Sequence, residues 1–255
     1  MEKIEDLRLQ YQDSLFELQN MYGILSQKAF KGELNLTNVK RELKQTIATS
    51  ASNKAEKIIL NIPENKKAFA KQVLGGKIVS LFKDDKNFTH IKFQKLQYLA
   101  ENCIEADLNW NYYRQSAGPY DPKFMNTVAN RLKALKWFEE KKYKFYSLEK
   151  NTQIDGYYNN YFGQNNQVLN QLFDLLKNAS EKFCEAIATI YAVWNNHIIL
   201  KQQFNKEKIK HDFFKWSTRK DIVFNDDEFE KALAWMNKNN IIPTGFGQLI
   251  KEKAK

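Results

Sequence analysis

Apolar residues recur near the start of the chain at Ile4, Leu7, Tyr11, Leu15, Leu18, Tyr22, Leu25 and Ala29, in steps of 3, 4, 4, 3, 4, 3 and 4. Such a row forms a coiled-coil seam with one four-residue step more than a strict heptad repeat allows, which relaxes the supercoil locally. A lone helix has no use for a seam of this length, so a partner helix is expected along it. Gly32 follows two lysines in the position of a C-cap and ends the helix. A coiled-coil helix over 1–34 is predicted, opening in mid-helix like the back part of something larger.

The next stretch is rich in Ser, Thr, Asn and Lys and breaks at Pro63, and it reads as a tether over 35–65. From Lys66 the pattern tightens. Phe69, Val73, Ile78, Leu81 and Phe82 share one helical face, and Ile91, Leu96, Leu99 and Ile104 mark a second helix capped by Thr89. After AGPYDP, Phe124, Val128, Leu132 and Leu135 mark a third helix over about 123–135. KWFEEKKYKFYSLEK then alternates as a β-hairpin. Three helices followed by a hairpin is the order of a winged helix, placed at 66–150. Residues 151–163 read as a Tyr- and Asn-rich loop. A long helix over about 167–195 and two or three shorter ones form a helical C-terminal domain at 164–255. The expected fold class is therefore mainly α: an N-terminal coiled-coil helix, a winged-helix-like middle domain with a small β-hairpin, and a helical C-terminal domain.

Composition agrees with this. With 9 Gly and 4 Pro in 255 residues, the punctuation of an all-β fold is scarce, while 14% aromatics can furnish a core. The net charge of +10 suits an anionic partner, and a solvated lysine-rich surface gives the same count. The start MEKIEDLRLQ has no apolar leader, and no stretch of about 18 uncharged apolar residues follows, so no membrane role and a cytoplasmic location are expected.

Motifs for catalysis are weak. Gly75-Gly76-Lys77 lacks the spacing and preceding strand of a phosphate loop and reads as a helix interruption. Asp121, Glu140 and Lys142 superficially resemble a nuclease set, but Asp121 after Pro119 is better explained as a helix N-cap. His90, His197 and His211 stand apart from any cysteine at ligand spacing. No catalytic, metal or cofactor residues are assigned, and no cofactor is expected.

Basic residues interleave with aromatics on the third helix and the hairpin. Lys123, Arg131, Lys133, Lys136, Lys141, Lys142 and Lys144 lie there beside Trp137, Tyr143 and Tyr146. In a winged helix these elements face DNA, which makes the seven residues a candidate DNA contact. A solvated face on a protein-binding winged helix would carry the same residues.

LFELQNMYGILSQKAFKGEL, residues 15–34, resembles the end of the specificity subunit of type I restriction–modification enzymes. Leu25, Ala29, Phe30, Gly32, Glu33 and Leu34 match that family's closing pattern in place. The resemblance implies a conserved helix that docks on the modification (methyltransferase) and restriction subunits, and a non-catalytic role. The family's target-recognition domains have no counterpart here, so base reading is not implied. FAKQVLGGKIVSLF, FTHIKFQKLQYLAE and NYYRQSAGPYDPKFMNTV resemble an extension of some specificity subunits. The lysine-rich second helix and GPYDP are also similar to Panacea-type antitoxin domains, which would instead imply a regulatory protein-binding module.

The seam generates a test of its own. Each apolar side chain buried along it contributes about 1.5–3 kcal/mol, so homo-oligomerisation through this helix is expected at micromolar concentration. Sedimentation of Leu18→Glu should shift the chain toward monomer; a monomeric parent unchanged by the substitution would contradict the pairing.

Overall fold

Pro63 sets the start of the first helix of the computed structural model, which describes residues 60 and 62–252. Its carbonyl accepts the N–H groups of Lys66 and Lys67, and its fixed φ leads into α1 (Glu64–Phe82). The seam, the 15–34 match and most of the expected tether lie outside the described residues. Helix α2 (His90–Cys103) is capped by Thr89, whose Oγ1 accepts the Lys92 N–H at 3.1 Å. A small antiparallel pair follows, β1 (Tyr113–Gln115) with β2 (Gly118–Tyr120), and then α3 (Phe124–Ala134).

The predicted hairpin is β3 (Phe138–Lys141) with β4 (Lys144–Ser147), in register Phe138↔Ser147 to Lys141↔Lys144. Six α-helices follow among the described residues, beside short 3-10 turns at Asn151–Gln153 and Gly163–Asn165: α4 (Ile154–Phe162), α5 (Asn166–Leu176), α6 (Glu181–Ile199), α7 (Lys206–Phe214), α8 (Thr218–Val223) and α9 (Asp226–Lys238). Ser180 caps α6 and Asn205 caps α7, while Asn225 and Glu228 form a capping box on α9. The structure is mainly helical, and no helix among the described residues is long and apolar enough to cross a membrane.

Four local expectations need correction. The stretch 151–163 is not a loop, because Ile154, Tyr158 and Phe162 recur every four residues and bury one face of α4. The helix expected over 167–195 is two helices, since Leu176 ends α5 and Ser180 starts α6. Gly75 and Gly76 interrupt nothing. They lie inside α1, where an added Cβ would come 3.0 Å from Val128 and 3.1 Å from Trp137, so glycine lets α1 approach α3 closely. Asp121 is not the N-cap of α3: its Oδ1 accepts the Lys123 N–H and its Oδ2 the Asn111 N–H, in a turn ahead of the helix.

One hydrophobic cluster runs through both segments that the periodicity had separated, and Ile58–Lys255 forms one compact unit. Its middle is α2, buried without a break from Lys92 to Asn102 and packed against α1, α5, α6 and β2. Polar side chains accompany Phe93, Leu96 and Leu99 inside. Lys92 Nζ meets Asp85 at 2.5 Å and the carbonyls of Lys177 and Ala179 at 3.1 and 2.7 Å. Gln94 donates to the Asp121 carbonyl and Lys95 to that of Pro119. Burial, helped by the like charge of Lys220, holds the Lys95 ammonium down at about 7.

Gly76 gives a test that sets two effects against each other. Alanine is favoured over glycine in a helix by about 1 kcal/mol. The new methyl, however, would press on Trp137, Leu132 and Ile154 at 3.1–3.4 Å, and overpacking costs about 1–3 kcal/mol. Those neighbours sit on α3, on α4 and on the buried turn between α3 and β3 and cannot retreat together, so Gly76→Ala should lower unfolding stability by about 1 kcal/mol in urea titration.

Candidate functional site

The seven basic residues singled out on the third helix and hairpin are all solvent-exposed. Their alternation explains the placement. In β3–β4 one face carries Phe138, Glu140, Phe145 and Ser147, with both phenylalanines in the core. The opposite face carries Glu139, Lys141, Lys144 and Tyr146 outward. On α3, Phe124, Val128 and Leu132 are buried, which leaves Arg131 and Lys133 outside.

Carboxylates neutralise part of this face. Glu139 lies 2.7 Å from Lys133 and 2.6 Å from Lys141, and these two hydrogen bonds hold its carboxyl down at about 2. Lys136 meets Glu149 at 2.9 Å. Lys123, Arg131, Lys142 and Lys144 have no carboxylate at ion-pair distance among the described residues. The hairpin thus presents cations chiefly at its tip, flanked by Tyr143 (75% exposed) and Tyr146 (51%).

The tip breaks two rules of hairpin construction. Lys142 and Tyr143 form its two-residue loop with φ of +49° and +63°, a geometry that normally selects Asn-Gly. Side chains with a Cβ are strained there by about 1–2 kcal/mol each. Lys141 and Lys144 moreover stand directly opposite each other as like charges. His90 supports the tip from α2, its ring centroid 5.2 Å from that of Tyr143 and its Nε2 2.7 Å from Glu140 Oε1.

Other expected members are elsewhere. Trp137 is not on the basic face but in the core, at ring-centroid distances of 5.9 Å from Phe69 and 5.8 Å from Tyr157. The cause is the end of α3. Lys136 takes φ +60°, the Lys136 N–H meets the Lys133 carbonyl, and the Trp137 N–H meets that of Leu132. This is a Schellman ending, which turns the residue after the left-handed one back onto the helix. The Asp121–Glu140–Lys142 set does not assemble as a unit: Asp121 binds backbone N–H groups, whereas Glu140 binds His90. Among the described residues no group of three or more His, Cys, Asp or Glu side chains could hold a metal ion. Two partners escaped notice, Glu139 and His90. Glu139 was legible, because alternation puts it on the outward face with Lys141.

No family model, curated protein or solved structure matches this chain.

The strained loop makes a prediction about stability alone. Replacing Lys142→Asn together with Tyr143→Gly should relieve the left-handed strain and stabilise the fold by about 1 kcal/mol. For a domain of this size that is roughly 2–4 °C in Tm, readable by calorimetry.

Proposed function

We propose that the chain is a non-catalytic assembly component of a type I restriction–modification complex, the C-terminal part of a DNA specificity subunit. In this reading residues 1–34 dock on the modification and restriction subunits. Helices α1–α3 with hairpin β3–β4 act as a winged helix whose third helix and wing touch DNA without reading its bases. The observation that carries the DNA half is the hairpin tip, where Lys142, Tyr143 and Lys144 are retained against local strain and like-charge repulsion. Exposed positions that break a local rule are where a contact is to be sought. Lysine supplies point charges that suit phosphates better than base edges. The assembly half rests on the resemblance of residues 15–34.

The carboxylates on the same face favour a second reading, an antitoxin-like or regulatory module that holds a protein. Glu139 and Glu149 pair with three of the seven cations and cancel two of their charges, and a mixed-charge face with exposed tyrosines resembles a protein interface rim.

Salt dependence separates the two. The four cations without a carboxylate partner should give a log–log slope of affinity against salt near −4 for a nonspecific duplex, at about −0.9 per phosphate. Lys142→Glu with Lys144→Glu should abolish the binding, while Lys142→Gln with Lys144→Gln should weaken it and lower the slope by about 2. Absence of duplex affinity at low salt would transfer the hairpin to the protein-binding reading. Co-purification with the modification subunit, lost on deletion of residues 1–34, is the expected outcome for the assembly half.

A further inference from the structure

The C-terminal turns of α2, the loop 107–113 and the segment 246–252 enclose a cleft of about 880 Å³, a size that suits a small molecule. Its lining includes Glu101, 5% exposed, whose carboxyl accepts the Leu108 N–H at 3.0 Å and the Tyr112 O–H at 3.2 Å. No cation pairs with it among the described residues. Lys71 acts on it through charge without touching it: its Nζ stands 4.2 Å from the centroid of the Trp110 ring and donates to the Asn109 carbonyl. A buried carboxyl lacking a counter-charge is held protonated by its site, and it takes up its charge when a ligand supplies what the protein omits.

The walls agree with that account. Tyr98 meets Tyr112 edge-on at 4.9 Å, and its hydroxyl, in a side chain 1% exposed, has no hydrogen-bond partner among the described residues. Trp110 and Phe246 add further apolar surface. Asp107 and Glu252 also line the cleft but already carry partners, Asp107 with Lys67 at 2.6 Å and Glu252 with Arg114 at 4.0 Å, which leaves Glu101 as the lining carboxyl without an ion pair among the described residues. The position of Lys71 over Trp110 shows that this wall accepts an ammonium group.

We propose that the cleft binds a small organic cation, a primary amine or guanidine, with its charge on the Glu101 carboxylate and its carbon chain against Tyr98, Tyr112 and Phe246. Binding does not depend on the DNA-contact reading, since none of these residues belongs to the hairpin.

The groups facing Glu101 are Tyr98 on its own helix, Lys71 on α1, Asp107 and Tyr112 on the loop, and Lys251 and Glu252 at the C-terminal side. Burial is the main cause that lifts the Glu101 carboxyl, to about 8. At pH 7 it is therefore mostly protonated, and a cation must displace that proton into solvent.

Calorimetric titration of the full chain with n-butylguanidinium, which stays charged throughout, should give saturable binding roughly tenfold tighter at pH 9 than at pH 7. Close to one proton should be released per ligand at pH 7, read from buffers of differing ionisation enthalpy. n-Butanol should not bind. Glu101→Gln keeps the shape and should weaken binding tenfold or more, the loss of one charge-assisted hydrogen bond being roughly a tenfold effect at least. Its folding has a separate readout. A raised carboxyl pKa confers stability that is full below the unfolded value and lost as pH rises through about 8, so Glu101→Gln should melt above the parent at pH 8–9 and close to it near pH 4. Absent or pH-independent binding of the guanidinium, equal binding of n-butanol, or undiminished binding to Glu101→Gln would each overturn the proposal. Should the variant fail to fold, the pH dependence and proton release of the parent chain decide.

Discussion

Helix α2 is enclosed over eleven successive residues, and six of these carry an amine, amide or carboxyl taken out of water: Lys92, Gln94, Lys95, Gln97, Glu101 and Asn102, of which all but Gln97 find a hydrogen-bond partner. Much of the surrounding architecture follows from that constraint. An ammonium taken out of water needs several oxygens at once. Lys92 obtains them from Asp85 and from the carbonyls of Lys177 and Ala179, which α5 frees by ending before α6 begins. The break between those helices is thus part of the solvation of a lysine. Lys95 and Gln94 take the carbonyls of Pro119 and Asp121, which fixes the β1–β2 turn against the core. Gly118, at φ +96°, completes this contact, because a Cβ there would fall 2.5 Å from the hydroxyl of Thr189 on α6.

A second buried charge group ties the far side of the molecule together. Glu185 on α6, fully enclosed, receives Lys220 Nζ at 2.6 Å and the guanidinium of Arg219, and Lys220 also donates to Thr189 at 3.0 Å. Buried pairs of this kind contribute little net stability against apolar replacements, yet removing one partner leaves the other stranded at a high cost. Their effect is to fix how α8 seats on α6. The interior is thereby specified by directional contacts as well as by apolar area.

The surface shows the converse. At the tip of β3–β4 the local preferences of the backbone and of the charges both oppose the residues present, and the edge-on contact of Tyr143 with His90 is the packing set against them, since Lys142 and most of Tyr143 project into solvent. Lys92 and Lys220 inside the molecule are matched by oxygens, whereas Lys142 and Lys144 at this tip have no carboxylate at ion-pair distance among the described residues. That contrast distinguishes a core requirement from a surface available for contact.

Local order was written plainly in the chain. The 3.6-residue spacing of Phe124, Val128 and Leu132, the Thr89 cap and the alternation of the FEEKKYKFYS stretch each depend on neighbours within a turn or a strand, so periodicity alone placed α3, the start of α2 and the hairpin. The exposure of the seven cations was legible for the same reason. Their pairing was less so, because Lys136 finds Glu149 only once the hairpin has folded back. The interior position of Trp137, the unbroken run of α1 through Gly75 and Gly76, and the choice of a lysine-bearing helix as the core were settled by tertiary structure. Each depends on a partner distant in sequence: a left-handed residue that redirects the chain, a facing helix that needs the space of a missing Cβ, or carbonyls delivered by the end of α5. Backbone geometry repeats along the chain and can be read from it; the solvation of a buried charge is supplied by whatever the rest of the fold brings alongside.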